Sequence, residues 1–299
     1  MPDNAQVVVL IATRFRSALL SRLLISLAAQ TLRPLAVLIT DNGPDPATAR
    51  VIQQSQLPAE LLSPGKNLGF GGGLAFAGKN ALSRFTNLTH LLIVDDDAIL
   101  APSDLAHLLS SAQKHGAGSI APFLVNSANQ LQEVPEPASW SLARSFRSIG
   151  QNLSAARALA PTGYPMAWCI GPCLLVDLPT WLRAGPPRSD MIAYGDDVEF
   201  TLRLSAAAPA WAESSVTVIH DPPPSPTSPD AEKTHRAKFG MLLQNLAFTC
   251  VVSPRPRHLP LYLIGNARRF LKTFGFTPSN ILEVTRRYTL GLFGFPAGR

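Results

Sequence analysis

The segment His90-Leu91-Leu92-Ile93-Val94-Asp95-Asp96-Asp97 decides how this chain is read. Its apolar half makes a short buried strand, and three carboxylates follow without a break. Adjacent carboxylates repel, so a strand that delivers three of them to one place needs a cation or strong hydrogen bonds to offset the charge. In open α/β sheets, ligands bind at the carboxyl ends of strands. A divalent cation that prefers oxygen ligands, Mg2+ or Mn2+, answers both requirements. Side chains alternate along an extended segment, which places Asp95 and Asp97 on one side as ligands and leaves Asp96 facing away or supporting the turn. The plainer alternative is an acidic helix start, with Pro102 close behind.

Outward from this strand the first half alternates strands and helices, the pattern of a mainly parallel sheet covered by helices. Val7 to Thr13 reads as a first strand and Ala36 to Asp41 as a second. Between them, Ala18 to Gln30 reads as a helix with Leu19, Leu20, Leu23, Leu24 and Leu27 on one face. A loop region around Glu133 to Ser139 separates this half from a second block. In that block Cys173 to Val176 and Val216 to Ile219 read as strands and Asp196 to Ala208 as a helix. Asp221 to Asp230 contains five prolines and is expected to be a surface loop or lid. From Thr234 onward the chain is expected to be helical in pieces, broken at Pro254, Pro256, Pro260 and Pro278. The expected division is a catalytic unit over residues 1–233 and a basic amphipathic helical extension over 234–299.

Composition narrows the setting. With 299 residues, 46% of them hydrophobic, the chain can bury one substantial core. Three cysteines without paired spacing argue against a disulfide framework and for a reducing, cytoplasmic location. No secretory leader is read in the first residues, and no apolar run of bilayer length occurs, so membrane contact is expected to be peripheral. The net charge of +6 is concentrated in residues 251–299, which carry seven arginines and one lysine against Glu283 alone. A basic tail favours anionic partners, and in His258 to Lys272 and Pro278 to Leu292 it is mixed with Leu, Ile, Phe and Tyr. That mixture suits a helix lying in an anionic membrane interface, or one packed on the catalytic unit. Nucleic acid is disfavoured, because no reading module accompanies the charge.

Four further constellations stand out. Asp41-Asn42-Gly43 ends the second strand and is either a plain turn or a contact for a base or ribose. Asn67-Leu68-Gly69-Phe70-Gly71-Gly72-Gly73 is expected as a glycine-rich loop opening a helix over Ala75 to Leu82, a place for phosphate or ribose oxygens. The G-x-G-x-x-G dinucleotide fingerprint fails there, since position 74 is Leu. Asp196-Asp197-Val198-Glu199 opens a helix, where acids favour the dipole; if that turn faces a cavity, one carboxylate can act as general base. Arg203 stands at the right spacing to pair with Glu199. His220 ends a strand and is chemically reasonable as a third ligand beside two carboxylates.

Taken in order, "VVVLIATRFR", "LAAQTLRP", "ITDNGPD", "NLGFGGGLAFAGKNAL", "LLIVDDDAIL", "WCIGPCLLV", "YGDDVEFTLRL" and "VIHDPP" resemble family 2 glycosyltransferases of the GT-A fold over residues 7 to about 221. The triplet, the D-D-x-E turn and the later His are most similar to bacterial galactofuranosyltransferases, with rhamnosyltransferases of cell-envelope assembly next. The resemblance implies a nucleotide-sugar donor, with UDP-galactofuranose foremost, and a lipid-linked or glycan acceptor at the inner face of the cell membrane. It implies that Asp95, Asp97 and His220 hold the metal, and that Asp197 is the base, flanked by Asp196 and Glu199. Thr13, Arg14, Asp41, Asn67, Gly69 and Gly71, with Asp95 and Asp96, are the implied donor-binding set. Rival readings are a metal-dependent phosphohydrolase and a non-catalytic nucleotide-sugar-binding scaffold at the membrane.

Overall fold

The computed structural model describes residues 5–192, 194–221, 228–253 and 259–297. The first half runs β1 (Val7–Thr13), α1 (Ser17–Ala28), β2 (Ala36–Asp41), α2 (Pro46–Gln53), β3 (Ala59–Leu62), α3 (Gly69–Arg84), β4 (His90–Val94), α4 (Asp104–His115) and β5 (Ser119–Val125). The middle contains β6 (Leu131–Glu133), β7 (Glu136–Pro137), α5 (Trp140–Ser148), α6 (Leu153–Leu159), β8 (Tyr164–Trp168), β9 (Cys173–Asp177) and α7 (Leu178–Ala184). Then come α8 (Asp196–Ala207), β10 (Ala210–Ile219), α9 (Pro229–Val252), α10 (Leu259–Phe274) and α11 (Pro278–Leu292).

One sheet gathers the strands in the order β3-β2-β1-β4-β9-β5-β10-β8-β7, with β6 paired to β5. β1 to β5 and β10 run in one direction, so the sheet is mixed but mostly parallel. Strands β1, β2 and β5 are buried along nearly their whole length, as expected where helices cover both faces. Alternation along β1 splits its side chains cleanly. Val8 and Leu10 join Leu74, Ala77 and Ala81 of α3 and Phe200 and Leu204 of α8 on one face. Val7, Val9 and Ile11 meet Leu20, Leu23, Leu24 and Leu27 of α1 and Leu105, Leu108 and Leu109 of α4 on the other. Each of the buried Val, Leu and Ile side chains among them is worth about 1.5–3 kcal/mol of burial. Polar ends are left for the strand tips.

Three expectations need correction. The region Glu133 to Ser139 does not divide two blocks, because it carries β6 and β7. β9 from the second block also inserts antiparallel between β4 and β5, making one continuous sheet. The glycine-rich stretch is not a loop, because α3 already starts at Gly69 and its glycines lie inside the helix. The reason is tertiary: a Cβ on Gly69, which has φ +73°, would sit 2.2 Å from the Ile192 carbonyl oxygen, and one on Gly71 would sit 2.7 Å from that of Arg188. The tail helix begins at Pro229 rather than near Thr234, and Pro260 lies in the first turn of α10 instead of breaking it, where a missing N–H costs nothing. Residues 222–227 of the proline-rich stretch, and Pro254, Pro256 and His258, lie outside the described residues.

Helix α9 packs on α8, and α10 and α11 pack on α9. Leu246 of α9 and Leu259 of α10 join Trp168, Val198 and Leu202 in one apolar cluster, and Phe239, Leu243, Phe270 and Val284 form a second. Among the described residues no helix is long and apolar enough to cross a membrane.

Candidate active site

The parallel register brings β1, β2 and β4 to a common edge, with Thr13 opposite Asp41 and Leu10 opposite Ile93. Asp95, Asp96 and Asp97 leave β4 there in a turn, and the Asp95 amide donates to the Pro172 carbonyl just before β9 (3.1 Å). His220, immediately after β10, reaches the same place. One ligand atom each from Asp95, Asp97 and His220 all lie within 4.8 Å of one another, with His220 Nε2 3.4 Å from Asp97 Oδ1 and 4.0 Å from Asp95 Oδ2. Asp95 Oδ1 is buried with no hydrogen-bond donor. Burial pushes the Asp95 carboxyl above the usual range, and the charges of Asp97, Asp96 and Asp197 add to this against the pull of His220. Burial acts on Asp97 the same way, yet His220 and Arg16 hold it below its ordinary value. His220 is itself raised, because Asp97 and Asp95 outweigh its burial. Two carboxylates and an imidazole with an orphaned oxygen are a donor set that fits a hard divalent cation.

Asp96 is placed differently. It is 3% exposed, and it accepts from the Thr13 hydroxyl (2.7 Å) and Arg16 Nη1 (2.6 Å). Arg16 Nη2 reaches Asp97 Oδ2 at 2.7 Å. Arg16 is thus the cation at this edge that sequence reasoning passed over in favour of Arg14, whose guanidinium lies over the Phe15 ring. Asp41 accepts from the Gly43 amide at 3.0 Å within its own turn. Asn42, also overlooked, accepts from the Leu68 amide and donates to the Gly69 carbonyl (both 2.9 Å), fixing the start of α3 against β2. Asn67 accepts from the Gly69 amide at 2.9 Å and is exposed.

The second acidic turn meets the first across Gly171. Asp197 Oδ2 accepts from the Gly171 amide (3.1 Å) and Oδ1 from the Val198 amide (2.7 Å). Burial raises its pKa while those amides oppose the shift. Asp196 Oδ2 accepts from the Gly71 amide at 3.0 Å, so in this structure a carboxylate of the chain occupies the N-terminus of α3. Burial, and then the Asp197 charge, push Asp196 up as well. Glu199 turns away. It is 1% exposed and forms the expected i,i+4 pair with Arg203, both guanidinium contacts made (2.7 and 2.9 Å), and Arg203 continues to the carbonyls of Ala184, Gly185 and Pro186. Asp197 is thus linked through Gly171 and Pro172 to the turn that carries Asp95, where its charge is felt, while Asp196 lies against α3 and Glu199 faces Arg203. Glu133 on β6, sequestered in a stretch read as a loop, also feels Asp197: burial first, then the charges of Asp197 and Glu136, push its carboxyl up to about 7.

The glycosyl transferase family 2 model matches residues 8–159, half of the chain. Over 220 residues the chain is 27% identical to the N-acetylglucosaminyl-diphospho-decaprenol L-rhamnosyltransferase of Mycobacterium tuberculosis, covering 67% of this chain and 71% of that protein. Over 129 residues it is 28% identical to the galactofuranosyltransferase GlfT1 of Mycolicibacterium smegmatis, covering 42% and 41%. Among solved structures, S. aureus TarS 1–349 in complex with UDP matches with a TM-score of 0.62 at 16% identity, over 97% of this chain and 80% of that one. Against a longer TarS chain the share covered is 48%. The mannosyltransferase PcManGT from Pyrobaculum calidifontis, in complex with GDP-Man and Mn2+, gives 0.61 at 18% identity over 97% and 81%. The structural likenesses show a common GT-A architecture. The family match over half the sequence shows that this chain belongs to glycosyl transferase family 2.

Proposed function

We propose that the chain is an inverting, cation-dependent glycosyltransferase that moves a sugar from a nucleotide donor to a hydroxyl of a lipid-linked or cell-envelope glycan. The observation that carries this is the convergence of Asp95, Asp97 and His220 with Asp197 at one sheet edge. In this reading Asp95, Asp97 and His220 hold Mn2+ or Mg2+, which when bound would neutralise charge on the departing diphosphate. Asp197 accepts the proton of the acceptor hydroxyl. The amides of Gly171 and Val198 fix its orientation, while burial keeps it more basic than a surface carboxylate. Asp196 holds α3 against the catalytic turn, and Glu199 with Arg203 anchors the turn from behind. Thr13, Arg14, Asp41, Asn67, Gly69 and Gly71 border the donor side with Asp95 and Asp96, and Arg16 stands close enough to Asp97 to meet a diphosphate there.

Galactofuranose from UDP-galactofuranose is the donor we favour, on the likeness of the acidic motifs to that branch. A rhamnosyl donor carried by dTDP is the second reading, and the M. tuberculosis relative supports it. Residues 1–233 then form the catalytic unit and 234–299 the extension. Leu261, Ile264, Ile281, Leu282, Phe293 and Phe295 are exposed on that extension among Arg268, Lys272 and Arg286, a composition suited to an anionic cytoplasmic membrane face. Calorimetry with a panel of nucleotide sugars, with and without Mn2+, tests the donor. One nucleotide sugar is expected to bind in a cation-dependent way, and binding that EDTA does not change would remove the proposed metal role.

A further inference from the structure

The chain enters the turn that carries Asp197 through an unfavourable backbone. Tyr194 has φ +63° and Gly195 φ +87°, so two successive residues are left-handed just before α8, and the first of them bears a side chain. A residue other than glycine keeps that conformation only where its surroundings enforce it. The enforcing group is Asn245 of α9, which is fully buried. Its side-chain amide donates to the Tyr194 carbonyl at 2.8 Å, and its side-chain oxygen accepts from the Ala297 amide at 2.7 Å. Gly195 permits the close approach, since a Cβ there would lie 3.3 Å from that of Asn245. The carbonyl that Asn245 holds shares a peptide unit with the Gly195 N–H, and that N–H acts on the Asp197 carboxyl together with the amides of Val198 and Gly171. The Gly195 carbonyl in turn accepts from the Glu199 amide at 3.1 Å, the bond that opens α8. Gln244, the preceding residue of α9, is engaged elsewhere: it donates to the Phe295 carbonyl (2.9 Å) and accepts from Arg287 Nη1 of α11 (3.1 Å).

We propose that Asn245 is a positioning residue for sugar transfer: it locks the Tyr194-Gly195 peptide, and through it the orientation in which α8 presents Asp197. This rests on the reading of Asp197 as the base. A primary amide suits the task, because it is neutral beside a cluster of acids and offers a donor to one chain segment and an acceptor to another at once. The Ala297 amide holds the side chain from behind, so the end of the chain supports the turn without touching it. Orientation of this kind acts on rate, since a misplacement of about 1 Å can cost a hundredfold, and it leaves donor binding largely alone.

The test compares Asn245→Ala with Gln244→Ala in the full chain, because the second change loosens the same terminal segment at a residue that does not bond to the turn. Hydrogen–deuterium exchange across residues 194–200 reads the turn directly. Nucleotide release from UDP-galactofuranose and from dTDP-rhamnose, with Mn2+ and octyl N-acetyl-β-D-glucosaminide as acceptor, reads turnover to glycoside or to water. Asn245→Ala should speed exchange at the turn by about tenfold, the effect of one lost buried hydrogen bond, and lower kcat by about tenfold or more while the donor KM stays within about twofold. Gln244→Ala should leave both readouts close to wild type. If Asn245→Ala does not fold, Asn245→Leu, closer to Asn in volume, separates the lost hydrogen bonds from the cavity. Unchanged exchange at the turn, an unchanged kcat, or equal losses in Gln244→Ala each overturn the positioning role. A wild type that releases nucleotide from neither donor removes the transferase reading itself, whatever the exchange shows, and the role in transfer falls with it.

Discussion

The two acidic turns, Asp95-Asp96-Asp97 after β4 and Asp196-Asp197-Val198-Glu199 at the head of α8, look alike in sequence and are used in opposite ways. In the first, two carboxylates converge on His220 and keep a buried oxygen without a donor, so the turn is electrostatically incomplete. In the second, backbone amides engage Asp196 and Asp197, and Arg203 engages Glu199 through both oxygens, so the turn is complete without a cation. Satisfied acids hold shape and an unsatisfied cluster binds. A sequence displays the number of acids but not which amides will reach them.

The contrast can be broken at three places with decreasing force. Asp197→Asn keeps the shape and one acceptor oxygen but loses the basic carboxylate, so transfer should fall about a thousandfold, within the range for a lost general base, while nucleotide affinity holds. Steady-state transfer and nucleotide calorimetry on the same preparation check this, and turnover at the wild-type rate would remove Asp197 from that role. Glu199→Ala leaves Arg203 without its carboxylate in a site where Glu199 is almost fully buried, which should cost roughly 3 kcal/mol of stability. Urea unfolding reads that loss, and an unchanged midpoint would mean that the pair is dispensable. Asp97→Ala removes one ligand and the partner of His220 and Arg16 together, and should weaken Mn2+ binding by about a hundredfold with little change in stability, since it relieves repulsion at the same time. A cation titration followed by electron paramagnetic resonance tests this.

Legibility in the sequence follows the range of the interactions. β1, β2 and β4 and the α8 helix were readable because their signals are local: a run of buried aliphatics, or an apolar period of a helix. The acids were readable as an unusual charge density at strand ends. The glycine-rich stretch misled because its helix is allowed by a close approach to Ile192 and Arg188, more than a hundred residues away. Arg16, Asn42 and Glu133 were missed for the same reason. Arg16 pairs with residues 80 and 81 positions distant, Asn42 caps a helix 26 residues on, and Glu133 comes within reach of the Asp197 charge only because β6 folds back on β5. One signal was available for Arg16: a triplet of acids needs a cation, and a basic residue just after a neighbouring parallel strand is placed to supply one.

The smallest expected effect is also the one that separates the two turns most sharply. A cation needs Asp95 ionised and His220 neutral, and the folded chain raises the pKa of both, Asp95 chiefly through burial and His220 through Asp97 and Asp95. Protons therefore compete with the cation as pH falls through these raised values, and Mn2+ affinity should weaken by about tenfold between pH 8 and pH 6, one decade for each net proton displaced per unit below its pKa. His220→Gln should flatten that slope and lower the affinity at pH 8. Asp197→Asn belongs to the turn that its amides already satisfy, so it should leave the steepness of the Mn2+ titration with pH almost as it was. An Asp197→Asn protein whose cation affinity no longer responds to pH would show that the two turns titrate as one unit, and that the division of labour between them is wrong.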